Sequence, residues 1–248
     1  MIALLAAHQL RYELRAFWRT PQAVFFTVAL PLVMLTVFAT LNEDIDVPTF
    51  AGRSYAAFFV PGMLTFGVVS ATYGNLAVRT VFRRETGQLK RLRATPLPAA
   101  SYLAGAVANA VLVALSGSVA VLAVGRFRFD VALPGRWWLA GAVLLLAAIC
   151  FSALGLACST FIGRPEAADP TVFGTMLPVV FISNVFQAVP EDSSLARVSR
   201  LLPVRPTVDA IRAVYLDLPI SRGGLAVIVL WAVVGALIAA RRMRWAPS

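Results

Sequence analysis

This chain is short of the residue types on which most polar chemistry depends. Its 248 residues include one lysine (Lys90), one histidine (His8) and two cysteines (Cys150 and Cys158), and only 14% are charged. The lysine lies between Leu89 and Arg91, so the phosphate-cradling pattern G-x-x-x-x-G-K-[ST] is absent and the chain is no P-loop ATPase by itself. One histidine without an acidic cluster argues against a zinc or di-metal hydrolase site. The G-x-S-x-G pattern of serine hydrolases is missing as well. The cysteines are eight residues apart on one expected helix. That is a rise of roughly 12 Å at ~1.5 Å per residue, beyond the ~7 Å Cα limit of a disulfide, so they do not pair with each other.

Apolar residues make up 59% of the chain, where a soluble domain has about 45–50%. A soluble fold has nowhere to place that excess, which predicts an all-α integral membrane protein. The formal net charge is +10, but the basic residues fall between apolar runs and form no continuous face for nucleic acid.

Charge-free runs mark the expected spans, because a charge at the bilayer centre is costly. They are Thr20–Asn42, Ser54–Val78, Ala94–Gly125, Trp137–Gly163, Thr171–Pro190 and Gly223–Ala240. About 20 helical residues cross the ~30 Å hydrocarbon core, so six transmembrane helices are expected within a single domain, 1–248. None carries a charge at its middle. Proton- or sodium-coupled carriers and charged-filter channels normally need one there.

Ahead of the first span, residues 1–21 form an amphipathic pattern. His8, Arg11, Arg15 and Arg19 fall on one side of a helical wheel, and Leu10, Leu14, Phe17 and Trp18 on the other. This predicts an interfacial helix, with Pro21 separating it from the first span. Counting Lys and Arg on alternate sides gives 13 with the termini and nine on the other side. The positive-inside rule therefore places both termini and the basic loop 79–99 in the cytoplasm of a multi-pass membrane protein. Against that bias, Arg126–Arg136 holds three arginines on the outer side.

Prolines 31, 61 and 178 lie inside spans one, two and five, where the freed carbonyls must be satisfied by neighbours. Gly155, Ser159 and Gly163 repeat every four residues, a spacing that permits close helix approach and is also ordinary for membrane helices. Asn75, Asn109, Asn184 and Gln187 are the amides within spans; each suits either a pathway or a bond to a neighbouring helix. Phe173, Met176, Phe181 and Phe186 give span five an apolar lining for amphipathic cargo, although lipid-facing residues read the same way. In the outer segment 191–222, Val208, Ile211, Val214 and Tyr215 keep helical spacing with Asp209 and Arg212 between them, which predicts a short re-entrant or interfacial helix.

The basic loop carries Glu85, Leu89 and Leu92 close together on a helical wheel, flanked by Lys90, Arg91 and Arg93 and closed by Thr95-Pro96-Leu97-Pro98. Such a face suits a groove in a partner protein. By composition alone the loop is also a topology determinant lying on anionic lipid.

Four stretches resemble the permease subunits of bacterial ABC-2 type exporters, in particular small drug-efflux permeases like the daunorubicin exporter's membrane subunit. They are Arg19-Thr20-Pro21 with Phe25-Phe26 and Leu30-Pro31-Leu32; Phe59-Val60-Pro61-Gly62; Glu85-x-Gly87-x-Leu89-x-x-Leu92-x-x-Thr95-Pro96-Leu97; and Phe181-x-Ser183-Asn184-Val185-Phe186 with Pro190 and Asp209-x-x-Arg212. The chain departs from the family at Leu202-Pro203-Val204-Arg205-Pro206, where many members have Asn-Pro.

The resemblance implies the type V exporter fold, with six spans, a connecting helix and outer helices between spans five and six. It implies a second permease copy or paralogue and separate ABC ATPase subunits that bind ATP and Mg, with no cofactor in this chain. It makes Glu85, Gly87, Leu89, Lys90, Arg91, Leu92, Thr95 and Pro96 the ATPase-coupling residues. Cargo would be a drug, lipid or glycoconjugate moved outward across the bacterial cytoplasmic membrane. Against it stand a membrane scaffold without passage and an intramembrane lipid-modifying enzyme.

Overall fold

A computed structural model describes residues 19–44, 46–47, 50, 52–88, 99–187, 189–190 and 192–242. The expected interfacial residues Arg11, Arg15, Phe17 and Trp18 lie outside the described residues, as do Leu89, Lys90, Arg91, Leu92, Thr95 and Pro96 of the basic loop.

The first helix, α1, starts at Pro21 and runs end to end through Pro21–Val24, a π-turn at Phe25–Ala29, and Leu30–Leu41. Arg19 stands in the turn before it, and proline suits the first helical position because its missing N–H would be unpaired there anyway. A two-stranded antiparallel ribbon follows, β1 (Asp46–Val47) against β2 (Arg53–Ser54). Ser54 then caps helix α2, its Oγ accepting from the Ala57 amide at 3.4 Å. α2 comprises Tyr55–Val69, a second π-turn at Ser70–Gly74, and Asn75–Glu85. α3 (Ala99–Phe129), α4 (Trp137–Ser159) and α5 (Ala168–Phe181) follow, with a 3-10 turn at Pro165–Ala167 before α5. Two short helices, α6 (Ser194–Arg200) and α7 (Val204–Tyr215), precede the last, α8 (Arg222–Arg242).

Among the described residues four helices are long and apolar enough to cross a membrane: Tyr55–Glu85, Leu103–Phe129, Trp137–Ser159 and Arg222–Arg242. The first expected span appears as the shorter apolar stretch Phe25–Leu41 within α1. The fifth departs most from expectation. Its helix is 14 residues long, which is ~21 Å of rise against a ~30 Å core. The remainder of that apolar run leaves the helix at Ile182 and turns at Asn184, whose φ is +60°.

α2 is the axis of the bundle. Of its most apolar window 89% is buried inside the protein, against 17% for α8. Glycines set the closest approaches. A Cβ on Gly62 would stand 2.1 Å from the Val185 carbonyl oxygen, and one on Gly155 would stand 2.7 Å from the Tyr73 carbonyl oxygen. A Cβ on Gly235 of α8 would meet the Ala153–Leu154 backbone at 2.9 Å. Of the expected small-residue repeat, Gly155 makes such an approach and Gly163 meets nothing within 4 Å. Cys150 and Cys158 are both free thiols.

The three arginines that run against the positive-inside bias each have a carboxylate. Arg126 meets Asp130 at 2.8 Å, Arg128 meets Glu43 at 3.7 Å and Arg136 meets Asp217 at 3.4 Å. Exposed pairs like these add little stability, but they cancel the local charge.

Candidate functional site

Both π-turns border one cleft, and each has a local cause. In the first, the Leu30 amide reaches back to the Phe25 carbonyl, and Pro31 follows at once. A proline ring collides with the carbonyl four residues earlier, and the widened turn makes room for it. In the second, the Asn75 amide reaches the Ser70 carbonyl. There the α2 backbone at Thr72 and Tyr73 presses on α4 at Gly155, where no side chain fits.

Between α1, α2 and α5 lies a cleft of about 480 Å³. Its lining grades from apolar to polar along all three helices. At one end stand Phe26 and Leu30 from α1, Phe66 from α2, and Phe173 and Met176 from α5. At the other stand Thr20, Arg79, Arg83, Thr86, Gln88 and Asp169. Phe26 and Phe173 close the apolar end with ring centroids 5.3 Å apart. The three helices agree because α1 and α5 both begin at the polar end, whereas α2 finishes there.

The expected pathway residues divide. Asn75, Phe173 and Met176 line the cleft. Asn109 of α3 is buried on another face of α2, beside a cavity of about 10 Å³ shared with Asn75, Arg79 and Arg83. Its Oδ1 has no hydrogen-bond partner, and a cavity of that size borders on what one water needs. Phe181, Asn184 and Phe186 do not line the cleft: Phe181 is the last, exposed residue of α5, and the turn that follows carries Asn184 and Phe186 away. Phe186 packs on Phe181 with tilted rings 4.9 Å apart and reaches Phe66 at 5.6 Å, so Phe66 touches both sets.

At the polar end α2 stops where its sequence tells it to. Gly87 takes the left-handed φ of +68° and donates its amide to the Arg84 carbonyl at 3.0 Å, a glycine-terminated helix end. Glu85 belongs to the last turn of α2, and the rest of the face expected for the loop, Leu89 and Leu92, lies outside the described residues. Arg84, not singled out by sequence, is the buried cation here. Its Nη1 donates to the Ser159 carbonyl at 3.1 Å, its Nη2 donates to that of Ile162, and its Nε meets Glu85 Oε1 at 3.1 Å.

Residues 8–216 match the family described as ABC-2 type transporter. The chain belongs to that family. It is 22% identical over 166 residues to the inner membrane transport permease YadH of Escherichia coli K12, covering 66% of this chain and 64% of that protein. It is 25% identical over 167 residues to the probable multidrug ABC transporter permease YbhR of the same strain, covering 65% of this chain and 44% of that one. The chain thus spans just under two thirds of the first relative's length and less than half of the second's. An ABC-2 chain is the membrane component of a transporter, and the apolar helices make this one a multi-pass membrane protein.

The far end of this ABC-2 chain holds two buried cations, one of which, Arg212, the sequence pattern set between the apolar positions. α7 does bury Val208, Ile211, Val214 and Tyr215, as its spacing predicts. It also buries Arg205 and Arg212. Arg212 sits 3.9 Å over the Phe58 ring and donates to the Asn184 carbonyl at 2.7 Å. Burial lowers its guanidinium to about 10, which leaves it cationic at neutral pH. Arg205 donates to Ser199 Oγ at 3.0 Å and meets Asp209 at 3.4 Å. A buried arginine shows no periodicity signal; only Phe58 and Asn184, distant in sequence, reveal its place.

Proposed function

We propose that the chain is the permease subunit of an ATP-driven exporter, powered by a separate ABC ATPase that binds ATP and Mg. One observation carries this reading. The stretch resembling the coupling segment, which starts at Glu85, grows directly out of α2, and α2 is both the bundle axis and one wall of the cleft. A push on that segment therefore reaches the cleft through a continuous, buried helix. The names of the relatives, transport permease and multidrug permease, point the same way.

In this proposal the six apolar runs all span the bacterial cytoplasmic membrane, with both termini inside and residues 1–21 lying on the inner surface. Two permeases, identical or paralogous, assemble with two ATPase subunits. Glu85, Gly87, Leu89, Lys90, Arg91, Leu92, Thr95 and Pro96 meet the ATPase, and the cleft takes amphipathic cargo for efflux. A scaffold without passage would have no use for a cleft graded from apolar to polar.

The test is co-expression with a nucleotide-binding partner. ATP hydrolysis should require both proteins, and Glu85→Ala combined with Leu92→Arg should abolish transport while insertion is unchanged. Unchanged transport in that double variant refutes the coupling role.

A further inference from the structure

We propose that Ser70 makes the apolar end of the cleft a binding site for an uncharged, apolar ligand carrying one oxygen that accepts a hydrogen bond. The inference deepens the permease reading by naming its cargo class and rests on it only for the word cargo. Three observations support it. First, Ser70 lines the cleft and is 7% exposed, and its Oγ has no hydrogen-bond partner. The other aliphatic hydroxyls within α2 are satisfied locally. Thr65, Thr72 and Thr80 donate to the carbonyl four residues earlier, at 3.0, 2.6 and 2.7 Å. That back-bond is open to serine as well, and Ser70 does not make it. Burying a hydroxyl is costly unless something pairs with it.

Second, Phe66, Ser70 and Gly74 line the cleft at four-residue spacing. One stripe of α2 therefore offers a ring, a hydroxyl and bare backbone in turn, and the π-turn Ser70–Gly74 falls on it. A Cβ on Gly74 would stand 3.9 Å from the Met176 Sδ, which sets α5 opposite the stripe. Third, the surroundings are apolar, with Phe26 from α1 and Phe173 and Met176 from α5. Arg79, the nearest charged residue along α2, is nine residues from Ser70, roughly 13 Å of rise. A ligand with a matching oxygen gains a bond here, and one without it leaves the hydroxyl unpaired. The 480 Å³ volume lies within the ~300–1,000 Å³ usual for small-molecule sites.

The experiment uses the full chain in nanodiscs of diether phosphatidylcholine, whose lipids have no acyl carbonyl. No ATPase is present, so its outcome is independent of the coupling test. The probes are tritiated 9-fluorenone and tritiated fluorene, which share one ring system and differ by a carbonyl oxygen. Binding is read by scintillation proximity, with empty nanodiscs correcting for partition into the bilayer. Fluorenone should bind about tenfold more tightly, equivalent to ~1.4 kcal/mol. Ser70→Ala should remove that preference by weakening fluorenone alone, and Met176→Trp should weaken both probes by filling the apolar end. Without probe, Ser70→Ala should melt no lower than wild type, because it deletes an unpaired hydroxyl. Thr72→Ala, which breaks a bond, should melt lower.

Repeating the titration in ester-linked phosphatidylcholine separates the sources of the ligand. Weaker fluorenone binding there, with fluorene unchanged, assigns the acyl carbonyl of a bilayer lipid, and equal binding in both assigns a free molecule. Equal affinity for the two probes, a preference that survives Ser70→Ala, or a Ser70→Ala variant that melts well below wild type overturns the proposal even if ATP-coupled transport is found.

Discussion

The Arg84 guanidinium donates to the Ser159 carbonyl at 3.1 Å, across 75 residues of sequence. The last turn of α2 thereby satisfies carbonyls at and just beyond the end of α4, groups that a helix end leaves without partners. The same guanidinium holds Glu85, the first residue of the segment proposed to meet the ATPase. Movement of that segment is thus tied to α4 as well as to α2.

Arg84→Ala should cost about 3 kcal/mol, because buried carbonyls lose a charged donor. Arg84→Lys should recover only part of it, since an ammonium lacks the planar fork that serves two carbonyls. Thermal unfolding in detergent checks the order wild type, Lys, Ala. If coupling runs through this tie, the Lys variant should hydrolyse ATP with its partner while transporting less per ATP.

Gly62→Ala should prevent a stable bundle, because its Cβ would fall 2.1 Å from the Val185 carbonyl oxygen. Backbone cannot yield as a side-chain tip can, so the penalty exceeds the ~1–3 kcal/mol of ordinary overpacking. Gly174→Ala is the control. Nothing lies within 4 Å of its Cβ, and the better helix propensity should stabilise α5 by about 0.5–1 kcal/mol. Protein yield and melting temperature separate the two.

Arg212→Ala should lose about 2–3 kcal/mol through the Phe58 ring contact and the Asn184 hydrogen bond. The pH dependence follows from the direction of its shift. Burial lowers the folded value to about 10, below the unfolded one. The unfolded chain therefore binds the extra proton only above about pH 10, and only there does stability rise with pH on account of this group. Between about pH 6 and pH 9, Arg212 should add no slope, and denaturant titrations of wild type and variant should differ by a constant.

Phe173→Ala should lower transport several-fold with little effect on expression, because Phe173 lines the cleft against Phe26. Phe181→Ala should leave transport near wild type, since that ring packs on Phe186 beyond the turn. Equal effects in a vesicle uptake assay would contradict the division of span five.

By itself, the sequence determined the membrane class, the missing ATPase chemistry and the family. Composition, one misplaced lysine and contiguous motifs such as Phe59-Val60-Pro61-Gly62 do not depend on how the chain folds. It also determined α7, because the spacing of Val208, Ile211, Val214 and Tyr215 is a local property of one helix. Tertiary structure decided which residues meet. Phe173 and Met176 join α1 and α2 at the cleft while Phe181, exposed at the end of α5, and Phe186, beyond the left-handed turn at Asn184, do not. It also decided that Arg84, Arg205 and Arg212 are buried. No spacing in the sequence marks them as buried; carbonyls, a hydroxyl and a ring supplied by other elements take them out of water.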